Sequence, residues 1–262
     1  MHADNTLAPM LGSPGTPVVV TGGASGIGHA TARALAAVGR PVALWDIDGG
    51  RAESCALEIA GTFGVNAIGV AIDLTDLSRY AAAVGASRDK LGTIGGLVHA
   101  AGIVDTGSLE GITAESWAAG IDTHLRPLAM LTKHLCADLA SNAGSAIVAI
   151  TSINATLGNA VNPIYSAAKG GMLSLVRSLA DRLARDGVRI NSVSPGQILT
   201  PMLKPTVDLL PQNYFERRIL LERLGAAEEI ARVVRFLLSE EASYVTAAAI
   251  IVDGGNVSSQ RS

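Results

Sequence analysis

Apolar residues in this chain gather into seven short runs, and between most of them the hydrophobic positions recur at helical spacing. The runs are Pro17–Thr21, Pro41–Trp45, Asn66–Ile72, Gly95–His99, Ser145–Ile150, Val188–Val193 and Ala248–Val252. Helical patterns cover His29–Val38, 51–63, Leu77–Leu91, Ala114–Leu139, a segment from Asn162 to Arg185, and Ala227–Leu238. Near-continuous apolar strands alternating with helices predict an α/β fold, a parallel sheet with helices on both faces. Residues 1–16, with Pro9, Gly12, Pro14 and Gly15, read as an irregular leader. Residues 17–262 show no solenoid repeat and no second core, and read as one domain. Residues 199–225 hold three prolines and mixed polarity, and read as a mobile lid or an insertion.

In an open α/β sheet the ligand lies beyond the carboxyl ends of the strands. Gly22, Asp46, Asp73, Gly102, Ser152 and Pro195 each fall just past a predicted strand end. The first strand runs into Thr21-Gly22-Gly23-Ala24-Ser25-Gly26-Ile27-Gly28 and then a helix. That context lets backbone approach a pyrophosphate and set it on a helix N-terminus, although a tight structural turn uses the same residues. Asp46, at the tip of the second strand, can accept hydrogen bonds from ribose hydroxyls and would repel a 2′-phosphate. Its nearest companions, Ser25 and Ile47, are not basic, so the sequence favours NAD over NADP.

Composition narrows the picture. The chain has 262 residues, 48% hydrophobic, with 29 glycines but only two Trp, four Tyr and three Phe, so the core is aliphatic. A net charge of −3 gives no footprint for nucleic acid or an anionic membrane. Cys55 and Cys136 lie in separate helical patterns and read as small buried hydrophobes of a reducing compartment. No stretch approaches twenty uninterrupted apolar residues, and no basic start leads into an apolar run, so a cytoplasmic protein is expected.

The chemistry centres on Asn162-Pro163-Ile164-Tyr165-Ser166-Ala167-Ala168-Lys169. Asn162 followed by Pro163 predicts a helix start, the asparagine capping and the proline at the first helical position. Tyr165 and Lys169 then stand four residues apart on one face. A neighbouring ammonium favours the phenolate, lowering a value ordinarily near 10. Such a phenol could exchange a proton with an alcohol or a carbonyl. A surface tyrosine on an ordinary amphipathic helix is the bland alternative.

With Thr21-Gly22-x-x-x-Gly26-x-Gly28, Ser152, Tyr165-x-x-x-Lys169 and Pro195-Gly196 in this order, the chain resembles the short-chain dehydrogenase/reductase family over nearly all its length after residue 16. The resemblance implies a Rossmann-type doubly wound sheet of seven strands, a nicotinamide cofactor, and hydride transfer between an alcohol and a ketone or aldehyde. It matches Gly22, Gly26 and Gly28, with Thr21, Ser25 and Ile27 around them, to the phosphate turn. Asp46 with Ile47 matches the adenosine-ribose side, and Asp73 with Leu74 the adenine side. Ala100, Ala101 and Gly102 match an Asn-Ala-Gly turn in which Ala100 replaces the asparagine. Ser152 matches the catalytic serine; a hydroxyl capping strand-end backbone is the alternative. Pro195, Gly196, Ile198 and Thr200 match the stretch that holds the carboxamide, and Lys169 would also bind the nicotinamide ribose. A homotetramer is implied too. His124 stands where the family carries an asparagine thought to hold a water of a proton relay. A neutral imidazole could keep that relay and add a titration to the pH–rate profile, or be a buried helix residue with the relay rerouted.

The expectation is an NAD-dependent secondary-alcohol dehydrogenase whose small alcohol or ketone substrate is moderately apolar. The rivals are an NADPH-dependent 3-oxoacyl or other ketone reductase of the same fold, and a dinucleotide-binding regulator without catalysis. Met202, Leu203, Leu209, Leu210, Tyr214 and Phe215 are candidate lining of the lid, or its anchors to the domain.

Overall fold

A computed structural model of the protein describes residues 8–258. Six parallel strands come first in the chain: β1 (Val18–Thr21), β2 (Val42–Asp46), β3 (Ala67–Ala71), β4 (Gly96–His99), β5 (Ala146–Ile150) and β6 (Arg189–Pro195). Two short strands follow, β7 (Ile198–Leu199) and β8 (Gly225–Ala226), and then β9 (Ala249–Val252). The main sheet has seven strands in the order β3-β2-β1-β4-β5-β6-β9, all pairs parallel. The seven apolar runs are its seven strands. The order reverses direction between β1 and β4, the switch point at which open sheets leave a crevice.

The helices are α1 (Gly26–Ala36), α2 (Gly49–Phe63), α3 (Tyr80–Leu91), α4 (Ala114–Ser141), α5 (Asn154–Leu157), α6 (Pro163–Ala184), α7 (Lys204–Leu209) and α8 (Ala227–Leu238). Because strand side chains alternate between faces, β1 divides its valines. Val18 and Val20 join Leu35 of α1, Ile59 of α2 and Val234 of α8 in one buried cluster. Val19 joins Leu131 and Leu135 of α4 and Met172 and Val176 of α6 in the other. These two layers make one doubly wound domain.

Two segments differ from their sequence reading. Residues 1–7 of the expected leader and 259–262 of the domain lie outside the described residues. Residues 8–16 are irregular but fastened: Glu240 donates its backbone N–H to Ser13 O at 2.7 Å, and Met10 donates to the Glu241 carboxylate at 2.8 Å. The expected lid, 199–225, is bracketed by the β7–β8 ladder, which pairs Ile198 with Gly225 and Leu199 with Ala226. It carries α7 and a single 3-10 turn, Glu216–Arg218.

Candidate active site

The glycine turn after β1 is shaped by backbone crowding. Gly22 has φ +64, and a Cβ there would lie 2.9 Å from Ala101 N and Cα. A Cβ on Gly28 would sit on the Gly22 carbonyl oxygen. Both positions therefore require glycine, one for its left-handed backbone and one for the close approach. Ser25 is the N-cap of α1 but makes no capping bond, and the first turn of α1 carries no acidic residue. The opening amides of a helix have no acceptor within it, so those of Gly26, Ile27 and Gly28 face the crevice as donors. Thr200 lies across from them, its methyl 3.5 Å from where a Gly26 Cβ would stand. This cradle and donor set fit the pyrophosphate of a dinucleotide.

Asp46 ends β2 as expected, yet its carboxylate also holds the turn. Oδ2 accepts the Ala24 N–H at 3.0 Å and Oδ1 accepts the Asp48 N–H at 3.1 Å. A carboxylate has about four acceptor positions, so room remains for ribose hydroxyls. Ile47 beside it is 76% exposed. Cys55 lies under the turn, its Sγ 3.7 Å from Ala24 O, and both Asp46 and Arg51 act on it electrostatically. Arg51, exposed on α2, is a basic group at this corner that sequence reading passed over. Asp73 is exposed at the end of the β3 segment, with Oδ1 accepting from the Thr75 N–H and hydroxyl. Leu74 departs from expectation: its side chain is buried in the core and its carbonyl accepts from the Tyr80 hydroxyl at 2.7 Å.

Thr21 is a correction. Its hydroxyl is fully buried and committed to protein, 2.9 Å from His99 Nδ1 and accepting the N–H groups of Ala100 and Ala101. His99 Nε2 lies 2.8 Å from the His124 carbonyl, so that nitrogen carries the proton and donates. Nδ1 is then the acceptor and Thr21 the donor. Burial holds the His99 imidazole down at about 4, which keeps this tautomer neutral. The Thr21 hydroxyl thus fixes the Ala100-Ala101-Gly102 turn and is spent on protein partners.

His124, on α4, is buried and pressed against Gly102, where any Cβ would strike its ring. Its Nε2 faces both polar groups of Ile103, the carbonyl at 2.8 Å and the N–H at 3.2 Å. Among the described residues Nδ1 has no hydrogen-bond partner. The ring meets Tyr165 edge-on, centroids 5.4 Å apart. Burial pulls the imidazole down to about 2, with Lys169 assisting. Desolvation favours the neutral imidazole and argues against the expected titration in the working pH range.

Ser152 follows β5 and is buried; its Oγ accepts the Asn154 N–H at 3.1 Å, so the backbone-capping alternative is realised. The hydroxyl hydrogen stays free to donate. Tyr165 and Lys169 share one face of α6 as expected, with Lys169 Nζ 5.5 Å from the centre of the phenol ring. Nζ donates to Ile150 O at 2.7 Å. Their tuning differs from the sequence reading. Burial pushes the Tyr165 phenol up, opposed by the Ser152 hydroxyl, and burial draws the Lys169 ammonium down to about 7. Desolvation penalises both charged forms and here outweighs their mutual attraction.

The cap of α6 is also not the expected one. Asn162 occupies the N-cap but makes no capping bond; its Nδ2 donates to the Asp105 carbonyl. The Asp105 carboxylate caps instead, accepting the N–H of Tyr165 at 2.8 Å and of Ile164 at 3.3 Å.

Pro195 and Gly196 are tied into the sheet, the Pro195 carbonyl accepting from Ile153 and the Gly196 N–H donating to Val252. The Ile198 side chain is buried, and Thr200 Oγ1 accepts from Leu203 N at 3.4 Å. Exposed apolar side chains stand on the segments that flank Ser152 and Tyr165: Ile103, Val104, Leu157, Val161, Leu199 and Met202. Among the described residues no helix is long and apolar enough to cross a membrane, and no cluster could hold a metal.

Residues 22–256 match a family model described as enoyl-(acyl carrier protein) reductase. The acetoacetyl-CoA reductase of Synechocystis sp. is 36% identical over 94% of this chain and 98% of its own. The cis-4-hydroxycyclohexanecarboxylate dehydrogenase of Sinomonas cyclohexanicum is 36% identical over 90% and 94%. Among solved structures, L-sorbose reductase from Gluconobacter frateurii, complexed with NADPH and L-sorbose, superimposes with a TM-score of 0.89 at 28% identity, covering 95% of this chain and 99% of that one. The seven-stranded parallel order agrees with these likenesses. The chain belongs to the short-chain dehydrogenase/reductase family, oxidoreductases of alcohols and ketones that use a nicotinamide dinucleotide.

Proposed function

We propose that this protein is an NAD-dependent dehydrogenase that interconverts a secondary alcohol and a ketone, with Tyr165 as general acid and base. The carrying observation is the cluster beyond β5: Tyr165 and Lys169 one helical turn apart on α6, with the Ser152 hydroxyl bonded to the phenol. When bound, the nicotinamide carries the hydride. Gly22, Gly26, Ile27 and Gly28 cradle the pyrophosphate, Asp46 takes the ribose hydroxyls, and Ala100–Gly102, Pro195–Gly196, Ile198 and Thr200 wall the rest. In the oxidative direction the Ser152 hydroxyl donates to the substrate oxygen and Tyr165, as the phenolate that protonated Lys169 stabilises, takes the substrate's hydroxyl proton. In the reductive direction the phenol, kept protonated by burial, gives that proton back. Protonated Lys169 stabilises the transient phenolate. Neutral His124, whose Nδ1 has no partner among the described residues, holds the water of the proton relay without itself being protonated. The exposed apolar rim from Ile103 to Met202 favours an apolar substrate.

NAD rests on Asp46, whose charge opposes a 2′-phosphate. The second reading, an NADPH-dependent ketone reductase, draws on Arg51 at the same corner and on the NADPH held by L-sorbose reductase. A screen of cyclohexanol, 2-octanol and 1-phenylethanol, each with NAD and NADP and read by cofactor absorbance, separates the two. We expect kcat/KM to favour NAD by at least about tenfold, one factor of ten being about 1.4 kcal/mol. Asp46→Asn should narrow that ratio while an amide oxygen still receives the Ala24 N–H. A preference for NADP in the wild type would overturn the cofactor assignment. Turnover on none of these alcohols or their ketones, with NAD bound, would favour the non-catalytic alternative.

A further inference from the structure

We infer that Asp105 is a positioning residue for Tyr165: its carboxylate, reaching from the loop after β4, caps α6 from outside and sets the phenol against Ser152 and Lys169. The inference rests on the reading of Tyr165 as the acid and base. A helix usually caps itself with the residue before its first turn. Here Asn162 holds that place, yet its amide is spent on the Asp105 carbonyl. The two opening amides that a cap would serve, those of Ile164 and Tyr165, point at Asp105 Oδ2 and Oδ1. A carboxylate at a helix N-terminus gains from the dipole as well as from two charge-assisted bonds.

The consequence is local to the chemistry, because one of those amides belongs to Tyr165 itself. Asp105 is not isolated on a free loop either. Two residues before it, Ile103 faces His124 Nε2 with both of its backbone polar groups. Three residues after it, Ser108 donates its N–H to Val161 O at 3.2 Å and its hydroxyl to Ala160 O at 2.9 Å. The loop is thus fastened along the chain that leads into α6. Between these anchors stand Ile103 and Val104, exposed apolar side chains at the crevice. A substrate pressing on them bears, through Asp105, on the backbone of the residue that must meet its oxygen. Asp105 touches no reacting atom; it acts through the placement of Tyr165.

The experiment compares Asp105→Ala, Asp105→Asn and Tyr165→Phe on whichever of cyclohexanol, 2-octanol and 1-phenylethanol the wild type oxidises fastest with NAD. Asparagine caps helices about as well as aspartate, whereas alanine cannot. A misplacement of about 1 Å can cost on the order of 10²-fold in rate. We expect Asp105→Ala to lower kcat at least tenfold with KM for NAD within twofold of wild type, and Asp105→Asn, whose single amide oxygen can still accept the Tyr165 N–H, to recover part of the loss. A kcat within twofold for Asp105→Ala would overturn the inference. So would equal losses in both variants, or a parallel loss of NAD affinity and melting temperature, which mark a general loop defect. Tyr165→Phe keeps the two readings apart: if it retains turnover, the role of Tyr165 fails, and if it is inactive while Asp105→Ala is not, only the cap does.

Discussion

The two ends of the sheet both bury cations, and they treat them in opposite ways. At the amino-end floor, Arg40 is completely buried, and its guanidinium bonds to backbone and hydroxyl oxygens rather than a carboxylate among the described residues. Its guanidinium donates to Thr16 O at 3.0 Å, Leu238 O at 2.9 Å and Thr16 Oγ1 at 3.2 Å. Arg189, at the start of β6, donates to Leu237 O, Val245 O and Ser239 O. The two forks close the carboxyl end of α8, where cations suit the helix dipole. Burial lowers Arg40 to about 10, which leaves it charged at neutral pH. At the carboxyl-end mouth, among the described residues, Lys169 donates to one carbonyl, Ile150 O, and sits at about 7, and His124 Nδ1 has no hydrogen-bond partner. Burial of charge alone therefore does not mark function. A guanidinium held on several carbonyls makes a structural floor, whereas an under-satisfied group near its own titration point makes a mouth ready to exchange protons.

Substitutions at the two ends should separate cleanly. Ser152→Ala should lower kcat by on the order of 10²-fold, the usual cost of a lost donor to the reacting oxygen, with stability lowered only by the roughly 1 kcal/mol of the lost Asn154 bond. Arg40→Met should do the reverse. Stripping partners from buried carbonyls should lower stability by about 3 kcal/mol in denaturant titrations, with kcat per folded molecule unchanged. If Arg40→Met removed activity without destabilising the protein, the division between floor and mouth would be wrong.

Lys169 offers a test by pH. Its folded value of about 7 lies below the ordinary 10.5. Between those two values the unfolded chain binds the proton that the folded protein has released, so folding becomes more favourable as pH rises. Wild type should gain several degrees in melting temperature relative to Lys169→Met over that window and show no further pH dependence of the difference below 7. A flat difference would mean that Lys169 keeps an ordinary value. The smallest effect belongs to His124→Leu: a several-fold fall in kcat with the midpoint of the pH–rate profile in place, since a neutral imidazole contributes no titration. A shifted midpoint would restore the titrating histidine that burial argues against.

Much of this was legible in the chain. The seven apolar runs and their helical spacers gave the sheet because burial on both faces leaves continuous apolar strands. Spacing alone put Tyr165 and Lys169 on one face of α6. What escaped reading depends on contacts remote in sequence. Asp105 caps a helix that begins 58 residues later, and nothing in its own neighbourhood signals this. Arg40, one residue before a strand, looks like a surface cation until the fold closes α8 over it. The β7–β8 ladder is two residues per strand, too short for any period to register. Thr21 was carried over as a ligand-side residue, but its neighbour across the sheet, His99, claims its hydroxyl. The protonation of Tyr165, Lys169 and His124 follows from desolvation, which sequence spacing does not measure.

The most direct measurement sets Tyr165→Phe beside the wild type, with NAD affinity from fluorescence titration and turnover from cofactor absorbance on the same preparations. We expect NAD to bind both proteins within about twofold while turnover falls by on the order of 10³-fold in the variant, within the range for a lost general acid and base. Turnover retained in Tyr165→Phe would contradict the account at its centre.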